Sequence, residues 1–300
     1  MMGRSGLAGI VLASSLLTAC GGGGGVASAP VSTISGNATD GPINGGAVAV
    51  YAISHGAKGG ILGSTTTDAA GNFALSLGSY SGSVMLQVSG GSYLDEATGA
   101  MTTMMNGSVM TAMIPSIVAG EALSGIQVTP VTSMAQAYAQ GMAGGMTDAN
   151  IVAANAALGS YFDIIANGSG DILYTVPINP LVGGSGSGAS QSAINYGMVM
   201  AAMSQYAHAQ GVTDPSEMIT AYIGDAVDGI LNGRAGGTQM MVGGMGMGGS
   251  GTTTMATAAG TSGLASAMSS FLLSPQNQSG VTPAQVQGLI SSLSTSNGVL

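Results

Sequence analysis

Basic residues are almost absent from this chain. Its 300 residues include only three Lys or Arg, against twelve Asp or Glu, and 5% of all residues are charged. A protein that binds nucleic acid neutralises phosphates with clustered Lys and Arg, and a patch that binds anionic headgroups needs the same residues. The composition therefore argues against a nucleic-acid partner and against membrane binding through a basic surface.

Tryptophan is missing, and cysteine occurs once, at Cys20. A single thiol forms no disulfide within the chain and no cysteine cluster for a metal, so stability has to come from an apolar core. The hydrophobic fraction of 45% and the low charge argue against a disordered chain, despite 53 glycines. The length suffices for one large domain or two ordinary ones.

The first residues have the pattern of an export signal. Met1 to Arg4 form a short positive region, and Leu7 to Leu17 are apolar or small. This segment is shorter than the ~20 apolar residues that span a bilayer. It predicts a secretory signal peptide rather than a transmembrane helix.

The end of that segment resembles the lipobox of bacterial lipoproteins, in the residues Leu17-Thr18-Ala19-Cys20. The resemblance implies removal of residues 1–19, a diacylglyceryl group on the Cys20 sulfur and acylation of its amine. Several acyl chains anchor a protein firmly. Residues 20–30, with Gly21 to Gly25, then form a tether. The alternative is an ordinary secretory peptide with a buried Cys20. By resemblance to the sorting of enteric lipoproteins, glycine rather than aspartate after the cysteine implies the outer membrane of a Gram-negative cell envelope.

Residues 31–128 carry short apolar segments at strand spacing. Ala47 to Tyr51, Phe73 to Leu77 and Ser83 to Val88 are separated by Gly, Asn, Asp and Ser clusters. Strands at intervals of about 8 to 12 residues predict an antiparallel β-sandwich. Asp68 and Gly71 suit a tight connection between two of them.

Three stretches in this part resemble the carboxypeptidase regulatory-like sandwich, a transthyretin- or immunoglobulin-like module of secreted bacterial proteins. They are Ile34 to Ile43, Gly46 to Tyr51 and Thr67 to Phe73. The resemblance covers about a third of the chain. It implies a spacer or binding module and supplies no catalytic residues.

From Thr129 onward the apolar period changes from two towards 3.6, and Pro130 suits a first helical turn. The pattern predicts helices over residues 130–141, 147–166, 189–210, 215–232, 262–273 and 282–295. The predicted fold class is therefore α+β, with a sandwich over 31–128 followed by an all-α domain over 129–300 that has Gly- and Met-rich loops.

Acidic residues offer two candidate calcium sites. Asp95 and Glu96 are adjacent in a loop bounded by glycines, and carboxylate oxygens suit Ca²⁺; the alternative is a solvated or locally hydrogen-bonded loop. Glu217, Asp225 and Asp228 fall on one face of the predicted fourth helix. The alternative there is a solvated acidic face.

Methionine is abundant, with 21 residues. Met240, Met241, Met245 and Met247 lie in one glycine-rich stretch, and thioethers suit Cu(I). The alternative is a glycine-rich tether, and methionines at helical spacing are core residues. The sequence therefore predicts no cofactor, and the alternative is a protein that binds copper or calcium.

Catalytic residues are sparse. The two histidines, His55 and His208, have no metal-ligand spacing between them, and no Gly-x-Ser-x-Gly elbow occurs. The sequence therefore predicts a membrane-anchored, non-catalytic binding or scaffolding module whose partner is an envelope protein or polysaccharide. A metal-handling protein is the alternative, followed by a hydrolase.

Overall fold

The computed structural model describes residues 30–104, 107–165, 171–242, 253–255 and 259–300, with the backbone alone for residues 259 and 260. Strands come first in the chain and helices follow, so the protein belongs to the α+β class. The strands of the first part are Ser32–Ala38 (β1), Ala47–Ser54 (β2), Ala57–Thr66 (β3), Asn72–Gly78 (β4), Gly82–Ser89 (β5), Ser92–Leu94 (β6), Met101–Thr103 (β7), Val109–Ile117 (β8) and Ala122–Val128 (β9).

Two sheets and a short hairpin are built from these strands. One sheet has the order β4-β1-β9, the other has the order β3-β2-β5-β8, and β6 pairs with β7. Most pairs are antiparallel, as the sequence predicts, but β1 and β9 run parallel. The expectation of a purely antiparallel arrangement is therefore wrong at this pair. The chain crosses from β8 in the second sheet to β9 in the first, and β9 then runs beside β1 in the same direction.

Strands β5 and β8 of the β3-β2-β5-β8 sheet are buried on both faces, whereas the edge strand β3 is exposed or half-buried throughout. Val84, Leu86 and Val88 of β5 belong to a core shared with the other sheet, whereas Met85 belongs to the core of the helices. Successive strand residues point to opposite faces, so each face of this sheet packs against a different layer. The order of layers is sheet, sheet, helices.

All six predicted helices are confirmed. They are Pro130–Gly141 (α1), Asp148–Tyr161 (α2), Gln191–Ala209 (α3), Pro215–Asp225 (α4), Leu264–Leu272 (α5) and Pro283–Thr295 (α6). In the described part of the chain, none of these helices combines the length and apolar character needed to cross a bilayer.

The second part is not purely helical, contrary to the prediction. Short strand pairs join Arg234–Ala235 (β10) to Thr238–Gln239 (β11), and Met241–Val242 (β12) to Thr253–Thr254 (β13). The second and fourth helices are also shorter than predicted, since α2 ends at Tyr161 rather than near residue 166 and α4 ends at Asp225 rather than near residue 232. After Asp225 the backbone tightens into a 3-10 turn that ends at Gly229, whose φ of 81° lies in the left-handed region that glycine adopts readily.

The start of α1 fastens the helices to the sheet. Thr129 and Thr132 form a capping box, with Thr129 Oγ1 accepting from Thr132 N at 3.1 Å and Thr132 Oγ1 accepting from Thr129 N at 2.8 Å. Thr132 Oγ1 also donates to the Thr111 carbonyl of β8 at 2.7 Å. The Tyr196 hydroxyl of α3 lies 2.6 Å from Thr129 Oγ1 and donates to the Ile172 carbonyl at 3.0 Å. This buried network joins β8, α1 and α3.

Replacing Tyr196 tests how much that network contributes to the free energy of unfolding. Tyr196→Phe keeps the ring but removes the donor to the Ile172 carbonyl and the partner of Thr129 Oγ1, in a site from which water is excluded. We expect the free energy of unfolding to fall by about 1–3 kcal/mol, measured by urea denaturation. The control is Tyr174→Phe at a ring that is 47% exposed, where the change should stay within about 0.5 kcal/mol. Equal effects of the two substitutions would show that the network contributes nothing specific.

Candidate functional site

Three buried carboxylates meet at the junction of the sheets and the helices. Asp40 follows β1, and Asp95 and Glu96 lie in the loop between β6 and β7. Each side chain is 2% exposed or less. Ionised side chains are seldom fully buried without a partner. Asp95 and Glu96 are therefore not in a solvated loop; of the alternative to a calcium site, only local hydrogen bonding agrees with the structure, and it does so at Asp95.

A glycine turn brings Asp40 to the other two acids. Gly41 has a φ of 67°, and a Cβ there would lie 2.5 Å from the Leu94 carbonyl oxygen. Any larger residue would push this turn away from β6. Asn44 and Ser92 also hold this turn close to β6, because their backbones exchange hydrogen bonds of 2.8 and 2.9 Å.

Asp95 is satisfied by its own loop and by α3. Its Oδ1 accepts from Thr98 N at 2.9 Å and from Thr98 Oγ1 at 2.6 Å. Its Oδ2 accepts from the Ser204 hydroxyl, which also accepts from Ala97 N at 3.1 Å. Asp95 therefore fastens the β6–β7 loop to the middle of α3.

Glu96 and Asp40 are not satisfied in this way. Among the residues that the structure describes, neither carboxylate oxygen of Glu96 has a hydrogen-bond partner, and neither Asp40 Oδ2 nor the Tyr93 hydroxyl has one. The basic side chains are engaged elsewhere: Lys58 contacts Gln87 and the Tyr51 ring, and Arg234 donates to the Gly237 carbonyl. The cluster thus lacks a countercharge from either of them.

Burial dominates the protonation of this cluster. Desolvation, followed by the charge of Asp95 nearby, raises the pKa of Asp40 to about 7, although the close Tyr93 hydroxyl opposes the shift. Desolvation and then the charge of Asp40 also raise the pKa of Glu96. The N–H groups of Gly41 and Glu96 favour the ionised Glu96 carboxylate, but neither reaches it at hydrogen-bond geometry, so desolvation prevails.

A cavity of about 180 Å³ lies against Glu96. Its polar lining includes Gln127 of β9, which is 2% exposed and whose Oε1 has no partner among the described residues. Gln127 is held in place because its side-chain NH₂ donates to the Gly125 carbonyl at 2.9 Å and its backbone N–H to the Leu173 carbonyl at 2.8 Å. Two buried side chains of different chemistry, each with an acceptor that has no partner among the described residues, therefore belong to residues that line one cavity.

The remaining wall of this cavity is largely apolar. It is formed by Pro42, Pro177, Ile178 and Met200 together with Val176, which is 63% exposed and lies at the surface. Asn37, Thr39 and Asn179 also line the cavity, so its lining combines several polar side chains with an apolar side.

The structure does not bring Glu217, Asp225 and Asp228 together as a cation site. Asp225 is fully buried and accepts from Asn232 N at 3.2 Å and Arg234 N at 2.8 Å. Asp228 instead accepts from the backbone beyond the 3-10 turn. Desolvation raises the pKa of Asp225 to about 6, and desolvation followed by the charge of Asp214 raises that of Glu217. Asp225 and Asp228 therefore shape the chain after α4.

Metal-binding geometry is not found among the described residues, where no group of three or more His, Cys, Asp or Glu side chains is placed to hold an ion. Of the candidate copper ligands, Met240 is half-buried against the helical core with its methyl group beside Gly224, and Met241 follows it in β12. Met245 and Met247 lie outside the described residues, as does the lipidation candidate Cys20.

His208 and Asp95 line a second cavity, of about 400 Å³, beside α4. In a serine hydrolase the imidazole lies between the serine and the acid. Here Ser204 donates directly to Asp95, so this trio does not have the order of a catalytic triad.

Sequence reasoning found two of the three clustered acids and missed Asp40 and Gln127. Asp40 follows a strand in a turn-forming stretch, so its sequence context predicts an ordinary turn residue. Gln127 lies within a strand, and no motif surrounds it. The signal that could have found Asp40 is the glycine that follows it, since a required glycine beside an acid marks close backbone approach.

No protein-family model and no curated protein matches this chain. Among solved structures, a 9R-lipoxygenase from Cyanothece has a TM-score of 0.21 and 15% sequence identity to it. The alignment covers 33% of this chain and 16% of the lipoxygenase, so the chain spans about a sixth of that protein's length. A likeness of this size carries no argument about fold or activity.

Proposed function

We propose that this protein is a lipid-anchored envelope protein, in the outer membrane of a Gram-negative bacterium, that works by binding rather than by catalysis. The observation that carries the binding role is the cavity beside Glu96 and Gln127, where two buried side chains hold unpartnered acceptors. A buried polar group without a partner costs about 1–3 kcal/mol. A ligand that donates hydrogen bonds there would offset this cost.

The position of the anchor supports the same proposal. Pro30 packs beside Gly120, at the end of the sheets where β1 begins. Thr39 and Gly41, which line the cavity, follow the other end of β1. A strand of seven residues is about 20 Å long. An anchor at Cys20 would therefore attach to the end of β1 that is remote from the cavity.

We further propose that residues 31–128 form a carboxypeptidase regulatory-like sandwich, with the helical part over 129–300 packed against it. The two facing sheets and their common core support this assignment. In this arrangement the sandwich supplies β1, β9 and the β6–β7 loop, and α3 supplies Met200. The binding cavity is then a product of both parts, so neither part would form it alone.

Replacing Cys20 tests the anchor. In the native host, we expect the full-length protein to sediment with membranes and to gain the mass of a diacylglyceryl group and an amide-linked acyl chain at Cys20. The Cys20→Ser variant should lose that mass and leave the membrane fraction almost completely, because in this proposal the acyl chains hold the protein on the membrane. The control is Ser28→Ala, a nearby change that leaves the lipobox intact.

Two results would contradict the anchored protein. One is an unmodified thiol at position 20 in the native polypeptide, and the other is a Cys20→Ser variant that stays fully membrane-bound.

A further inference from the structure

A cavity of about 270 Å³ lies where β8 and β9 meet α2, and we call it the α2 groove. Among its lining residues, Val152 is 56% exposed and Tyr174 is 47% exposed. Pro115 and Leu123 are half-buried, and Ala156 is exposed. The other apolar lining residues are Ile114, Ile165 and Leu173. Solvent reaches most of these side chains, so the groove is an open apolar surface rather than a sealed space.

The polar side chains of the α2 groove serve the local backbone. They belong to Ser116, Glu121, Asn155 and Asp171. Glu121 Oε2 accepts from Val118 N at 2.8 Å. Asp171 Oδ1 accepts from Leu173 N at 2.7 Å. Asn155 Nδ2 donates to the Met113 carbonyl at 3.4 Å, and Asn155 Oδ1 is buried. The groove therefore takes its binding chemistry from its apolar side.

The two acids of the groove decide the charge of a suitable ligand. Desolvation, then the charge of Asp171 and then that of Glu121 raise the pKa of the Tyr174 hydroxyl, so both carboxylates act where Tyr174 lines the groove. No Lys or Arg is among the described lining residues. The carboxylates repel a free fatty acid or a phosphate head. An alkyl chain with an uncharged head meets no such repulsion.

The N-terminal segment enters the fold beside this groove. A Cβ at Gly120 would lie 2.7 Å from Pro30 Cβ, and the Gly120 N–H donates to Ser32 Oγ at 3.0 Å. Glu121, the next residue, lines the groove. Pro30 is ten positions after Cys20, and a flexible glycine-rich segment of that length spans about 18 Å on average. A group attached to Cys20 can therefore reach the groove.

The size and openness of the groove favour a tethered ligand. At about 30 Å³ for each water molecule of liquid, the cavity of about 270 Å³ holds about nine non-hydrogen atoms. An open groove leaves part of each methylene in water, and the stabilisation is proportional to the apolar area removed from water. A free alkyl chain should therefore bind weakly. A ligand on a short flexible tether has an effective concentration of about millimolar, so it can fill a weak site.

We propose that the α2 groove covers one acyl chain of the protein's own anchor, attached at Cys20, whenever the protein is outside a bilayer. A chain that is inserted in a bilayer already lies in hydrocarbon and gains nothing from the groove, whereas a chain in water is stabilised by it. Docking and membrane insertion therefore exclude each other for that chain. This inference rests on the proposed lipid anchor.

The single cysteine allows a test on protein of defined lipid content. Residues 20–300, produced behind an initiator methionine, are alkylated at Cys20, the one thiol of the chain, with N-dodecylmaleimide or with N-ethylmaleimide as the reference. A docked dodecyl chain binds the native state alone, so we expect the thermal unfolding midpoint to rise on the order of 3 °C above the reference. N-hexadecylmaleimide should raise it no further, because the groove holds about nine carbons. These comparisons need no variant.

Two variants on α2 assign the effect to the groove. Val152→Glu places a carboxylate at an exposed lining position and should abolish the rise in the midpoint. It should also tighten the binding of the dodecyl protein to phosphatidylcholine vesicles about threefold or more, because a docked chain is not free to insert. Ala153→Glu is the matched control, since it adds the same charge at the next exposed position, which is not among the lining residues. It should change neither quantity.

The proposal fails on any of three outcomes. The first is an equal midpoint for the ethyl and the dodecyl protein. The second is a rise in the midpoint, or a vesicle affinity, that Val152→Glu leaves unchanged. The third is a dodecyl protein that sediments as a dimer and returns to a monomer with Val152→Glu, which would assign the groove to the chain of a second copy.

Failure of the groove is distinguishable from failure of the anchor. Alkylation with a maleimide does not depend on lipidation in the host, so the outcome at the groove is independent of the sedimentation experiment with Cys20→Ser. An unmodified Cys20 in the host would remove the proposed occupant and leave the measured alkyl binding of the groove as it is.

Discussion

The protein is expected to lose stability as the pH rises from about 4.5 to about 8. Burial raises the pKa of Asp40 from 3.8 to about 7 and raises that of Glu96 in the same direction. Between the unfolded and the folded pKa, the native state binds more protons than the unfolded state. The free energy of unfolding therefore falls with rising pH in this window, which is the reverse of the usual behaviour of salt-bridged carboxylates.

The size of this effect is large for one site. A difference of about three pKa units at Asp40 corresponds to a loss on the order of 4 kcal/mol at pH 8, against a total stability of about 5–15 kcal/mol for a typical domain. Asp225, whose pKa burial raises to about 6, adds to the same slope. Urea denaturation midpoints at the two pH values measure the sum.

Replacing Asp40 with a neutral residue measures how much of the pH-dependent loss of stability comes from Asp40. Asp40→Asn should remove most of the loss between the two pH values and raise the stability at pH 8, and the slope that remains should come from Glu96 and Asp225. Asp68→Asn is the control, since Asp68 is exposed and its pKa is lowered by hydrogen bonds, first from the Asn72 backbone. Asp68 is charged in both states throughout this window, so its replacement should leave the slope unchanged. A native protein that is more stable at pH 8 than at pH 4.5 would contradict the unpaired cluster.

The second large effect is expected at Gly36, in the middle of β1. A Cβ at this position would lie 2.0 Å from the Ile126 carbonyl oxygen of β9 and 2.9 Å from the Phe73 ring of β4. The first obstacle is backbone, so a side chain cannot be accommodated by a rotamer change. We expect Gly36→Ala to lower the free energy of unfolding by about 3 kcal/mol or more, by forcing β9 away from β1.

Gly60→Ala is the matched control in β3. Nothing lies within 4 Å of a Cβ at Gly60, and its backbone is not in the left-handed region. The substitution should be neutral or stabilising by about 0.5–1 kcal/mol, because alanine has less conformational freedom to lose. Thermal unfolding of both variants at one pH compares them directly, and a Gly36→Ala protein as stable as Gly60→Ala would mean that β1 and β9 are not this close.

Local signals in the sequence predicted the helices well. Thr129 before Pro130, and Thr282 before Pro283, place a capping residue and a first-turn proline where α1 and α6 begin. These signals depend only on neighbours in sequence, so they can be recognised without knowledge of the tertiary structure. The end of α4 was predicted less well, because Ile230 continues the apolar period after Gly229 has already turned the chain.

The candidate site depended on contacts that no local pattern encodes. Asp40 and Asp95 are 55 positions apart, and the contact of Gly41 with Leu94 brings them together. A loop with two acids between glycines predicts solvation, since the pattern gives no sign of the α3 residues that cover it. Ser204 is one of those covering residues and looks in sequence like any small helical residue.

In the lipid-anchored protein that we propose, the point at which the chain enters β1 limits how far the cavity beside Glu96 can lie from the lipid. Pro30 is ten positions after Cys20, and a fully extended segment of ten residues measures at most about 35 Å. Adding the roughly 20 Å of β1 gives a ceiling of about 55 Å above the lipid surface for the mouth near Val176. A ligand delivered by another envelope component would therefore have to be transferred within about 55 Å of the lipid surface. Lengthening the glycine run would raise this limit.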